Sequence, residues 1–212
     1  HRRVCCDVST RPELFRLTMR RVIKIGGSLL RRESLVQAID SWIATQSPAQ
    51  NIAIVGGGEL IDAVRRLDAR FHCDAAWVHW QCVALLQTTY QWLSCQLEGW
   101  QIHATTSEFE QLQKTDGTTV VGNHFVAVDS FYHQGTQSPL PLDWTTTTDA
   151  IAGWLSILTD ADELVLLKSC DVDHAIPLAQ LAEQGVIDRA LPTLAADLGP
   201  VRFVNLGTGQ QQ

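Results

Sequence analysis

The sequence predicts an α/β fold, a three-layer αβα sandwich around a mostly parallel central sheet, and three observations lead there. Two short apolar runs, 21–25 and 51–55, each stop at a glycine cluster and pass into a segment with helical spacing. Two such units in succession call for right-handed crossovers, which build parallel sheets. The composition, 45% hydrophobic and 18% charged over 212 residues, suits one compact core better than two independent domains or a disordered chain.

Arg2, Arg3, Arg11, Arg16 and Arg20 precede the first strand, and residues 1–18 read as an extension of a folded unit that starts at Met19. The first strand ends at Gly26-Gly27-Ser28, where the absent Cβ atoms let backbone approach an anion. A helix is expected over 34–45, with Ser34 as its cap and Leu35, Ile39, Trp42 and Ile43 on one face. The turn at 47–50 ends it. The second strand runs into Gly56-Gly57-Gly58-Glu59 and a helix carrying Leu60, Ile61, Val64, Leu67 and Phe71 at helical spacing.

The longest helical stretch is 75–97, with Val83, Leu86, Tyr90, Leu93 and Leu97 in register and an aromatic start at Trp77-Val78-His79-Trp80. Residues 100–104 read as a strand, and 119–128 as another strand or a hairpin through Gly122-Asn123. Gly135, Pro139 and Pro141 mark 129–141 as a hinge between an acceptor lobe, 19–141, and a nucleotide lobe, 142–212. Four threonines, 145–148, and Asp149 then precede an apolar helical run, an acidic turn and a strand ending in Lys168. Thr148 and Asp149 can cap that helix. They also place a carboxylate opposite a strand-end lysine, where open α/β sheets bind ligands. A helix interrupted at Gly185 and Pro192 covers 178–198, and 201–205 is the last strand.

The net charge of −7 and pI near 5.4 argue against a nucleic-acid partner. Six cysteines without a CxxC pair point to a reducing compartment, the cytoplasm, and to no disulfide framework. No apolar run reaches the roughly 20 residues a membrane span needs. His72, His103, His124, His133 and His174 lack metal-ligand spacing, so no resident metal is expected.

Lys24 stands just before the first glycine turn, where an ammonium can hold a phosphate oxygen. Neither glycine run is a GxxxxGK[ST] loop or a GxGxxG fingerprint. Two glycine turns, two lysines and one carboxylate over several strand ends suit phosphoryl transfer, where the protein positions two anions and neutralises the charge between them.

The stretches VIKIGGSLL, IAIVGGGELIDAVRR and TTDAIAGWLS followed by LVLLKSCDVD, in that order over about residues 20–175, resemble the amino acid kinase family. Within it, the length and the stretch AAWVHWQCVALLQTTYQWL are similar to the small kinases of methanofuran biosynthesis, which phosphorylate (5-aminomethylfuran-3-yl)methyl phosphate to the diphosphate. The resemblance implies an ATP-dependent kinase with Mg2+, acting on a phosphate or carboxylate acceptor and assembling as a homo-dimer or larger homo-oligomer.

Carried onto this chain, the resemblance implies that Lys24, Asp149 and Lys168 are catalytic, with Asp149 orienting the lysines. Gly26, Gly27, Ser28 and Thr148 would meet nucleotide phosphates, and Gly56, Gly57 and Gly58 the acceptor. His79 and Trp80 are candidates for the acceptor pocket, where an aromatic face suits a cationic aminomethyl group, and Asp173 for the approach of Mg2+. The late GGMxxK of larger relatives is replaced by residues 184–189, with Arg189 in place of the lysine, and the nucleotide lobe is short. Two other outcomes stay open: a carboxylate acceptor giving an acyl phosphate, and a nucleotide-binding regulatory protein without turnover.

Overall fold

The structure, a computed structural model, describes residues 19–114 and 121–207; the expected extension 1–18 lies outside these. Six strands form one parallel sheet: β1 (Met19–Ile25), β2 (Ala49–Val55), β3 (Gln101–His103), β4 (Gly122–Val126), β5 (Glu163–Lys168) and β6 (Val201–Asn205). Their spatial order is β3-β4-β2-β1-β5-β6. The helices are α1 (Leu35–Ala44), α2 (Glu59–Phe71), α3 (Ala75–Ser94), α4 (Thr106–Lys114), α5 (Thr148–Leu158) and α6 (Leu178–Glu183). The α/β expectation therefore holds, with every strand pair parallel.

Strand alternation divides the core in two and fixes where the lysines emerge. Val22, Leu164 and Leu166 pack in one cluster with Ala150, Ile151 and Leu155 of α5, while Ile23, Ile25, Val165 and Leu167 pack in another with Leu35 and Ile39 of α1. Lys24 shares parity with Val22, and Lys168 with Leu166, so the period of two puts both ammoniums on the α5 face. Lys24 lies opposite Leu166 in the β1–β5 register, and Lys168 falls at the end of β5. The chain moves from β1 to β2 on one side and enters β5 on the other, so the two lysines flank a topological switch point, the usual ligand crevice of open α/β sheets.

Of the strand and the hairpin expected as alternatives at 119–128 the strand is found, and the helix expected after Gly58 forms; the 178–198 helix is corrected. β4 is a single strand between β2 and β3, not a hairpin; residues 119 and 120 lie outside those described. No residue of α2 is buried, and Leu67 and Phe71 of its apolar stripe are exposed. The physical reason is position: α2 packs on α3 rather than on the sheet, so only Ile61 reaches the core cluster. The 178–198 segment is helical only over α6 and a 3-10 turn, Leu191–Leu194. The helix α4 had no counterpart among the elements expected from the sequence. Among the described residues, Cys73, Cys82, Cys95 and Cys170 are free, and no helix is long and apolar enough to cross a membrane.

Candidate active site

A cleft of about 690 Å³ opens over the carboxyl ends of β1, β2 and β5. Its floor is made by the two glycine turns, which touch each other. A Cβ on Gly27 would stand 2.2 Å from the Gly58 nitrogen, and Gly58 itself has φ of +54°. Neither position admits a side chain without displacing backbone. The contact leaves backbone of both turns at one surface, where amide groups can meet two phosphates.

Above the floor stands a buried charged triad. Lys24 Nζ lies 2.8 Å from Asp149 Oδ1, and Lys168 Nζ donates to Asp149 Oδ2 at 2.6 Å and to the Val186 carbonyl at 2.9 Å. Both lysines line the cleft. Burial alone would drive the Asp149 pKa up, but Lys24 and Lys168 outweigh it and hold the carboxyl below its ordinary range. Burial pulls the Lys168 pKa down, with Asp149 opposing it. Two ammoniums sharing one carboxylate leave a surplus of positive charge facing the cleft, which suits an incoming anion.

The cap of α5 differs from expectation. Thr147 is the N-cap but makes no side-chain cap bond, and the carboxylate of Asp149 is taken up by the two lysines. Asp188 supplies the cap from across the fold. Its Oδ2 accepts from Thr147 N (2.8 Å), Thr147 Oγ1 (2.7 Å) and Ala150 N (2.9 Å), and its Oδ1 accepts from Leu191 N (3.1 Å). Asp149 is thus relieved of the capping role that the sequence assigns to it. Burial, then the charge of Asp149, pushes the Asp188 pKa up to about 6 against these hydrogen bonds.

The threonine run also separates into distinct roles. Thr145 Oγ1 donates to Asp143 Oδ1 at 2.5 Å, and Thr147 is held by Asp188. Thr146 and Thr148 are buried and line the cleft. The Thr146 hydroxyl has no hydrogen-bond partner among the described residues, an arrangement that costs about 1–3 kcal/mol unless a ligand satisfies it. Thr148 Oγ1 stands 3.0 Å from where a Cβ on Gly56 would be, so it reaches the second glycine turn.

Arg65, Arg66, His79, Asp143 and Trp144 also line the cleft. Arg65 stacks 4.8 Å over the Trp144 ring, whose Nε1 donates to Asp68 Oδ2 at 2.7 Å. His79 Nε2 pairs with the Tyr132 hydroxyl at 2.9 Å, and burial lowers the His79 pKa, so this imidazole is neutral at pH 7. Arg65, Asp143, Trp144, Thr146 and Asp188 carry no sequence signal that separates them from ordinary turn and surface residues.

Of the residues expected at the site, Lys24, Gly26, Gly27, Ser28, Gly56, Gly57, Gly58, His79, Thr148 and Lys168 all line the cleft, and Asp149 links its two lysines. Trp80 does not. It lines a separate cavity of about 640 Å³ with Trp77 and Tyr132, because it follows His79 on the helix and faces about 100° away from it. Arg189 is exposed and outside the cleft lining. The Val186 carbonyl, from the same turn, is what meets Lys168. Asp173 is exposed, caps its own turn by accepting from Ala175 N at 2.9 Å, and does not line the cleft. Among the described residues no group of three His, Cys, Asp or Glu could hold a metal.

The fold is that of solved uridylate kinases. The chain is similar to uridylate kinase from Archaeoglobus fulgidus, with TM-score 0.60, 19% identity, and 88% of this chain and 91% of that one covered. It is also similar to UMP kinase from Ureaplasma parvum, with TM-score 0.61, 13% identity, and 90% and 91% covered. For UMP kinase from Bacillus anthracis the values are 0.58, 16%, 88% and 86%. No protein-family model matches the sequence, and no curated protein matches it significantly.

Proposed function

We propose that the chain is an ATP-dependent small-molecule kinase whose acceptor already bears a phosphate. The observation that carries this reading is the Lys24–Asp149–Lys168 triad at the switch point, standing over two glycine turns in contact. One turn, Gly26-Gly27-Ser28, receives the nucleotide phosphates and the other, Gly56-Gly57-Gly58, the acceptor. The phosphoryl group crosses between them under the two ammoniums. Lys24 and Lys168 neutralise the charge that spreads over its oxygens, Asp149 keeps them aligned, and backbone amides donate from below. A phosphate oxygen as nucleophile is already deprotonated near neutral pH, so no strong general base is needed.

The surplus positive charge and the absence of side chains from the glycine floor fit a nucleotide phosphate tail. The described residues do not build a cage for Mg2+, which fits a metal carried on ATP phosphates and water with few protein ligands. It would supply further charge neutralisation on those phosphates.

The similar solved structures are UMP kinases, and UMP is one candidate acceptor. The sequence resemblance favours (5-aminomethylfuran-3-yl)methyl phosphate, and one feature of the cleft supports an aminated acceptor: Glu59 and Asp143 line it, while Asp62, also in the lining, is paired with Arg65 at 2.9 Å. Hydrogen bonds from Thr145 hold the Asp143 carboxyl below its ordinary range, so it stays charged toward an ammonium. Exposed Leu67 and Phe71 on α2 and Trp77 at the start of α3 support a homo-oligomer.

The experiment is ADP release from Mg-ATP with purified protein and three acceptors: the furan phosphate, UMP and N-acetylglutamate. The furan phosphate is expected to turn over fastest. Release with N-acetylglutamate alone, with a product trapped by hydroxylamine, identifies a carboxylate kinase instead. ATP binding in calorimetry with no ADP release on any acceptor identifies a regulatory protein.

A further inference from the structure

Most helices take their N-cap from a side chain next to the first turn. In α5 that duty passes to Asp188, 41 residues away from Thr147 and 38 from Ala150. The turn that carries Asp188 also carries Val186, whose carbonyl accepts from Lys168. One carboxylate therefore ties together the helix end that presents Asp149, the turn that steadies Lys168, and the start of the 3-10 turn at Leu191.

We propose that Asp188 is the positioning residue of the triad: its ionised carboxylate sets where Asp149 and Lys168 stand, and its protonation releases them. This rests on the phosphotransfer reading above. The charged groups around Asp188 are Asp149 on α5, whose charge opposes its ionisation, and Lys168 on β5, whose charge interacts with it; Arg189, next along the turn, is exposed. Three of the four donors converge on Oδ2, so a proton is accommodated on Oδ1, at the expense of the Leu191 amide. Protonation also removes the charge that strengthens the cap of Ala150. The burial and the facing Asp149 that raise the pKa to about 6 bring this event within reach of mild acid.

A positioning role and a purely electrostatic one predict opposite outcomes for Asp188→Asn. Deleting a negative charge beside Lys168 strengthens anion binding if charge is all that matters; it weakens binding if geometry does. Calorimetry of Mg-ATP binding by the full chain between pH 5 and 8 separates them, and the titration of ATP itself cancels between variants. At pH 8 the Asn variant is expected to bind at least tenfold more weakly than wild type, converging toward it near pH 5. Equal or tighter binding at pH 8 overturns the proposal. Wild-type protein that binds no Mg-ATP at any pH sinks the kinase reading instead, and amide exchange then decides about Asp188. In wild type, protection of the Ala150 and Leu191 amides is expected to fall with a midpoint near pH 6, a readout that also serves if Asp188→Asn does not fold. Protection unchanged through that range overturns the proposal.

Discussion

β1 buries positive charge near both of its ends, and the two ends treat it differently. Near the start, Arg20 Nε donates to Gln50 Oε1 at 2.7 Å and its NH1 to the Thr159 carbonyl, while Arg21 pairs with Glu163 and donates to Asn51 Oδ1 at 2.9 Å. Glu163 also receives Arg202 at 3.1 Å, and Asn51 donates to Asn123 at 2.8 Å. Guanidinium forks are matched there to fixed acceptors from β2, β5 and the loops. Near the other end, Lys24 and Lys168 share Asp149, and Asp188 spends its carboxylate on amide and hydroxyl donors. Guanidiniums held by carboxylate, amide and carbonyl oxygens make a structural clasp, even though Gln50 Nε2 and Arg202 Nε stay buried without a partner among the described residues, whereas ammoniums in excess beside an open cleft make a binding site. Burial alone does not distinguish the two.

The largest effect is expected where the triad loses its centre. Asp149→Asn leaves two buried ammoniums facing each other, so phosphotransfer should fall about a thousandfold and stability by roughly 3 kcal/mol. Urea unfolding with and without inorganic pyrophosphate sharpens this, because an anion should restore part of the loss by standing in for the carboxylate. Full turnover in the Asn variant would remove Asp149 from the mechanism. Its counterpart at the other end is Arg21→Met, which leaves Glu163 with Arg202 alone. Stability should fall by about 2–3 kcal/mol, yet Mg-ATP affinity should stay within about twofold, since a structural clasp about 10 Å away along the strand does not touch the ligand. A tenfold change in affinity would break the distinction between the two ends.

The pH dependence of stability offers a finer separation. Asp188 has its pKa raised from 3.8 to about 6 in the folded protein. The stability it contributes is fully present below the unfolded value and is lost as pH rises through about 6. That loss is on the order of 3 kcal/mol. Buried His79 and His124 and half-buried His103 act in the opposite sense over the same range. Burial lowers their pKa values, to about 4 for His124, so their contribution is present above 6.5 and lost as pH falls. Wild-type melts sum these, and the difference between Asp188→Asn and wild type isolates Asp188. The variant should gain stability relative to wild type between pH 4.5 and 7.5; a flat difference means that Asp188 titrates normally.

Much of the lysine end of the comparison is written locally. Lys24 and Lys168 follow from strand parity and from the glycine turn beside the first of them, and Asp149 from its place at a helix start. The helix α4 was missed although its start is written locally: Thr105 and Glu108 form a capping box, with Glu108 Oε2 accepting from Thr105 N at 2.9 Å and Thr105 Oγ1 accepting from Glu108 N at 3.3 Å. What the sequence hides is exchange of duties at a distance. Asp188 caps a helix that precedes it by some 40 residues, and this frees Asp149; no local pattern announces it. Trp80 joined His79 in the expected pocket because both are aromatic, yet one step along a helix sends the side chains to different cavities. The apolar stripe of α2 has the spacing of a buried face but lies on α3, away from the sheet.

The smallest effect is expected at Thr146, and it tests the same principle one group at a time. Its hydroxyl is buried, unpartnered among the described residues, and set in the lining of the cleft. Gln50 Nε2 and Arg202 Nε at the clasp end of β1 are buried and unpartnered in the same way; if Thr146 is only such a packing defect, Thr146→Val, nearly the same shape, stabilises by up to about 1 kcal/mol at no other cost. If the hydroxyl instead serves the acceptor, the same substitution stabilises the free protein and raises the acceptor KM by about fivefold, the equivalent of one lost hydrogen bond. The value of kcat should hold, because a contact made equally in the bound ground state and the transition state affects binding alone. Thermal melts and steady-state kinetics on one variant therefore read both sides. A stabilised Thr146→Val with unchanged KM would place the hydroxyl among packing imperfections, and a raised KM together with higher stability would mark it as a group held unsatisfied for its ligand.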